Sequence, residues 1–146
     1  MLTFMYDAQE KSLWKAAAVM VSGTTVFTIT GGPIMILQIG CLCISANDGT
    51  ASTLQYSADG TVGSATTITG ASASLASAAA GTIVAAVPGT LATAPAIYAN
   101  GVGIAGTVGI IVPAGIITTT IGVGSTTGTW RQFIRWIPLV NDVSVT

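Results

Sequence analysis

Val26–Ile44 reads VFTITGGPIMILQIGCLCI, and this stretch decides the fold class. In VFTIT, Val26 and Thr28 alternate with Phe27 and Ile29, the period of a strand, and Gly31, Gly32 and Pro33 then break it. From Ile34 to Ile44 the run resumes, with Ile34, Ile36, Gln38 and Gly40 opposed to Met35, Leu37, Ile39, Cys41 and Cys43. One face is wholly apolar and the other nearly so, the pattern of a central strand covered on both sides.

Working outward, the same grammar repeats. Asn47-Asp48-Gly49 and Asp59-Gly60 are turn signals, and between them Leu54–Tyr56 reads as a short strand. Further strands are expected at Thr66–Thr69, Ile83–Val87, Ala96–Tyr98, Gly106–Val112, Ile116–Val123 and Trp130–Leu139. Short β-branched runs between turn residues belong to an all-β sandwich or barrel. Ala71–Ala80, ASASLASAAA, is read as a loop with at most one helical turn. The glycines follow no repeat period, which gives collagen and solenoid readings no support.

The chain divides into an arm, residues 1–22, and one β domain, residues 23–146. Asp7, Glu10, Lys11 and Lys15 crowd the arm, whereas no charged residue occurs from Gly60 to Trp130. Asp7 and Lys11 have helical i, i+4 spacing, while Trp14, Ala16, Ala18 and Met20 alternate like a strand, so the arm's conformation stays open. Its start, MLTFMYDAQEK, lacks the positive region of a signal peptide.

Composition bears on function. With 146 residues, 51% apolar and 6% charged, the chain can bury a core yet covers its surface with hydroxyls, glycine and apolar atoms, which suits contact with other proteins. A net charge of −1 gives no footprint for nucleic acid. Mean hydropathy is +0.77, but the apolar runs are too short or too broken by Gly and Pro for a spanning helix, so no membrane is expected. Cys41 and Cys43, two apart on a strand, place their Cα atoms roughly 6.5–7 Å apart, long for a disulfide, and are read as buried thiols.

Little in the chain can do chemistry. Histidine is absent, so a serine nucleophile lacks its usual base. Asp48 and Asp59 each precede glycine, where a turn explains them without a paired-carboxylate site. GVGIAG at Gly101–Gly106 matches a dinucleotide fingerprint by letter, but no acidic residue follows at the required distance. No catalytic residue, cofactor or metal is expected.

The closing run TWRQFIRWIPL places Trp130, Gln132, Ile134 and Trp136 on one strand face and Arg131, Phe133, Arg135 and Ile137 on the other. Trp130 and Trp136 are read as core or interface anchors. Arg131 and Arg135 either pair with acidic groups of a partner through their planar forks or lie on an ordinary solvated face.

VFTITGGPIMILQIG and VPAGIITTTIGVGSTTGTWRQFIRWIPL together resemble small tailed-bacteriophage capsid decoration, or cement, proteins, over about Val26 to Leu139. The resemblance implies a jelly-roll-like antiparallel β-sandwich that trimerises on the outer surface of an icosahedral head, at local threefold positions, clamping the major capsid protein. It would be made in the host cytoplasm and carried on the virion. The arm has no counterpart in the resemblance; Lys11, Trp14 and Lys15 are expected to touch capsid, alongside Arg131 and Arg135. A head-fibre, tail or receptor-binding module is the alternative, and a self-assembling or pore-forming β protein a more remote one.

Overall fold

The computed structural model describes residues 9–86, 94–98 and 109–146. Twelve strands follow in order: β1 (Lys11–Trp14), β2 (Ala18–Val21), β3 (Thr25–Thr30), β4 (Ile34–Cys43), β5 (Leu54–Gly60), β6 (Thr66–Thr67), β7 (Ile83–Ala85), β8 (Ala96–Tyr98), β9 (Ile110–Val112), β10 (Gly115–Ile121), β11 (Ser125–Pro138) and β12 (Ser144–Val145). There is no α-helix among the described residues, and so no helix there long and apolar enough to cross a membrane.

The strands form two antiparallel sheets. The larger has the order β1-β11-β4-β7-β8, with β2 also on β11 and β9 also on β4. The smaller has the order β12-β3-β10-β5-β6. Each long strand of the larger sheet is flanked on one side by two short strands laid end to end: β1 and β2 along β11, β9 and β7 along β4. Residues 9–22, read from the sequence as part of an arm, thus supply two strands to the larger sheet, and Met20 is buried in the core.

Alternation explains most of these elements. In β5 Leu54, Tyr56 and Ala58 are buried between Gln55, Ser57 and Asp59; in β10 Ile117, Thr119 and Ile121 are buried in the same rhythm. Strand β4 departs from the strict alternation expected of it. Arg135 is opposite Gln38 and Trp136 opposite Ile36, so Leu37 is an extra residue, a bulge that switches the inward set from Ile34 and Ile36 to Ile39, Cys41 and Cys43. Nor is β4 covered on both sides, since Met35, Leu37 and Leu42 on its other face remain half-exposed.

One cluster of buried residues draws on both sheets: Ile39, Cys41, Trp130 and Ile134 from the larger, Phe27, Leu54, Tyr56 and Ile117 from the smaller. Burying such side chains contributes roughly 1.5–3 kcal/mol each against conformational entropy. Gly40 permits close strand approach, because a Cβ there would collide with the Val84 carbonyl of β7. Cys41 and Cys43 are buried and unbonded to each other. Burial pushes both thiols up, Cys41 far above the usual thiol range, beside the buried Tyr56 hydroxyl.

Other sequence expectations shift at their edges. Asp59 and Gly60 do not make a turn: β5 continues through them, Gly60 lying opposite Gly115, and the chain reverses afterwards. Ala71–Ala80 is a loop whose Leu75 is a buried plug, with its amide bonded to the Ser52 carbonyl at 2.7 Å. Ser72 Oγ accepts the Leu54 amide at 2.9 Å, so this low-complexity run stands in for a strand along β5. Val87, residues 106–108 and the GVGIAG run at 101–106 lie outside the described residues.

Candidate binding surface

The charged and aromatic residues singled out in the sequence converge on one edge of the larger sheet, where β1 and β2 lie along β11. Pairing fixes their faces, because residues directly opposite in an antiparallel pair share a face. Trp14 is opposite Phe133 and Ser12 opposite Arg135. Leu13 is opposite Ile134 and Lys11 opposite Trp136. The five candidate contact residues are therefore divided: Trp14, Arg131 and Arg135 share the outer face, while Lys11 and Lys15 turn to the other.

On the outer face Trp14, 43% exposed, stacks on Phe133 with ring centroids 4.5 Å apart and planes 26° from parallel. Such a pair contributes about 0.5–1.5 kcal/mol beyond its buried area. The Arg131 guanidinium lies 5.7 Å from the Trp14 ring centroid, and its Nε donates to the Lys15 carbonyl at 3.0 Å. Arg135 donates through Nε to the Glu10 carboxylate and through Nη1 to Gln38 Oε1. Its acidic partner is thus within the chain. The hydrogen bond from Arg135 holds the Glu10 carboxyl below the ordinary carboxylate range. Val19 and Val21 of β2, 43% and 48% exposed, extend the apolar part of this edge.

The inner side of the same edge is different. Lys15 donates its amide to the Gln132 carbonyl at 2.8 Å, which makes the two a cross-strand pair just past the end of β1. Both line a cleft of about 220 Å³ whose walls come from both sheets, including Thr24, Val26, Thr119 and Trp130. Lys15 Nζ reaches inward to 5.7 Å from the Phe27 ring centroid. Gln132 Oε1 is buried and has no hydrogen-bond partner, a state that costs roughly 1–3 kcal/mol when unrelieved. Lys11 Nζ sits 5.2 Å from the Trp136 ring centroid. Trp130 and Trp136 are core residues, 1% and 4% exposed.

Asn47, expected only as part of a turn, holds the far end of this edge. It is 6% exposed; its Oδ1 accepts from the Gly128 amide at 2.7 Å and from Trp130 Nε1 at 3.2 Å, and its Nδ2 donates to the Leu75 carbonyl at 3.1 Å. Asp48 does behave as a turn residue, its Oδ1 accepting the Thr50 amide, which with the neighbouring threonine hydroxyls lowers its carboxyl from the ordinary range. No group of three or more His, Cys, Asp or Glu side chains able to hold a metal ion occurs among the described residues.

The sequence pointed to Lys11, Trp14, Lys15, Arg131 and Arg135 as contact residues through rare charge, strand alternation and the resemblance, and did not point to Glu10, Gln132, Val19 or Val21. Glu10 was visible as the acid nearest β1; the other three acquire meaning only from the pairing of β1 and β2 with β11. No protein-family model, curated protein or solved structure matches this chain.

Proposed function

We propose that this chain is a virion structural protein: a capsid decoration protein that binds and stabilises the outside of an icosahedral phage head. In this reading the two sheets close as a sandwich of jelly-roll type, three copies associate, and the trimer sits at local threefold positions on the major capsid protein. The observation that carries the reading is the exposed edge of the larger sheet, where Trp14 lies beside the Arg131 guanidinium and Val19 and Val21 extend the apolar face. An aromatic anchor next to an arginine is the composition that dominates protein–protein contacts. The resemblance of VFTITGGPIMILQIG and of VPAGIITTTIGVGSTTGTWRQFIRWIPL to decoration proteins supports the same reading. The function calls for no cofactor, no catalysis, no nucleic acid and no membrane.

The physical logic is linkage. A protein that binds the assembled shell and not its separated subunits stabilises the shell in proportion to the logarithm of its occupancy ratio. A trimer that touches several capsid subunits at once adds avidity to contacts that are individually modest. The test is co-sedimentation of the purified protein with expanded, undecorated heads of the phage that encodes it, with its native mass measured in parallel. Saturable binding of a trimer supports the proposal; a protein that ignores heads and binds host-surface glycan or protein moves the function to a fibre or receptor-binding module.

A further inference from the structure

From the Lys15–Gln132 pair we infer that the inner cleft at the β1–β2 break is a docking site for an acidic side chain carried on an extended peptide. The inference rests on the decoration reading only in supplying the source of that peptide, a segment of the capsid protein. Three observations carry it. Lys15 turns its ammonium into the opening toward Phe27, and the one ion pair among the described residues is Glu10 with Arg135, so Lys15 has no carboxylate partner there. Gln132 occupies the inward row of β11 between Trp130 and Ile134, where its Oε1 is buried without a donor. The cleft between them, about 220 Å³, is large enough for one carboxylate side chain and its backbone.

What the two groups lack specifies the occupant. Lys15 calls for an anion, and Gln132 Oε1 calls for an N–H donor. An aspartate or glutamate on an extended backbone supplies both, its carboxylate to Nζ and a peptide N–H to Oε1. The route of entry is also present. Residues 15–17 leave the strand pattern between β1 and β2, and these two strands have a neighbour on one side only among the described residues. An incoming segment can approach along that open edge, as in strand addition. This separates the cleft from the outer Trp14 face, which lies on the opposite side of the same strands.

The probe is a blocked nine-residue peptide with one central aspartate flanked by threonine and valine, titrated into the isotope-labelled full chain and followed by amide NMR shifts. Saturable shifts centred on Lys15, Gln132, Thr119 and Trp130 are expected, with an asparagine counterpart at least ~10-fold weaker, the loss expected for one desolvated charge contact. Lys15→Met, at a half-exposed site, should keep the native spectrum and bind the two peptides equally weakly. Gln132→Leu should keep preference for the aspartyl peptide but weaken both. Equal affinity of the wild-type chain for both peptides, or an unchanged preference in Lys15→Met, overturns the inference. A response to sodium acetate equal to that of the peptide overturns the peptide component. On heads, wild-type binding with an undiminished Lys15→Met variant refutes the cleft while leaving decoration intact. Failure of the wild-type chain to bind heads refutes decoration, and the peptide titration still judges the cleft.

Discussion

Replacing Asn47 by alanine should be among the most damaging single changes in this protein, although the sequence presents Asn47 as an ordinary turn residue. The side chain is buried and its three hydrogen bonds reach the Gly128 amide, Trp130 Nε1 and the Leu75 carbonyl, joining the start of β11 to the 71–80 loop. Alanine leaves two buried donors, the Gly128 amide and Trp130 Nε1, unpaired, while the Leu75 carbonyl keeps the Ala78 amide at 3.1 Å. At about 1–3 kcal/mol for each such group, and with partial relief by water entering the space, the loss should be about 3–4 kcal/mol. That is a large share of the ~5–15 kcal/mol by which a domain of this size is stable. The melting temperature should fall by about 10 °C. Urea unfolding, followed by Trp fluorescence, should show a lower midpoint at unchanged slope. Asn47→Asp keeps the acceptor but sets a carboxylate against the Leu75 carbonyl, so its deficit should shrink as the pH is lowered and the acid becomes a donor. A loss under ~1 kcal/mol for Asn47→Ala, at unchanged slope, would refute the assignment of Asn47 as the tie between these segments.

Cys41 and Cys43 are buried with raised thiol pKa values, so neither should react with a thiol reagent at neutral pH until the chain unfolds, and labelling should track global unfolding. The Glu10 carboxyl is lowered by Arg135, so its contribution to folding is present above the ordinary carboxylate pKa and is lost as the pH falls through its lowered value. Acidification should therefore speed hydrogen exchange in β1 before the rest of the larger sheet, and Glu10→Gln should remove that selective response. Gly40→Val should unfold the chain or block its expression, since the Val84 carbonyl occupies the position of the new Cβ; a native-like melting curve for this variant would contradict the β4–β7 register.

How much of this was legible in the sequence depended on whether the signal was local. β3, β4, β8 and β10 stood out because apolar alternation and flanking Gly or Pro act within a few residues. The Leu37 bulge did not, because apolar residues stand on both faces of the Ile34–Leu37 run and only the pairing of Gln38 with Arg135 and of Ile36 with Trp136 shows the switch of face. β1 and β2 were ambiguous because alternation and helical charge spacing coexist in the same short run, and β11 settles the matter by offering them an edge. β12 carries too few residues to give a period. For the binding edge, rarity of charge marked Arg131 and Arg135, but the consumption of Arg135 by Glu10 and the cross-strand pairing of Lys15 with Gln132 join residues far apart in the chain.

The central claim is stabilisation of a shell, so the most direct measurement is the thermal disruption temperature of undecorated heads as this protein is added. The account predicts a rise that grows with added protein in step with bound copies and is reduced by Trp14→Ala. Heads that saturate with protein yet break at an unchanged temperature would contradict it.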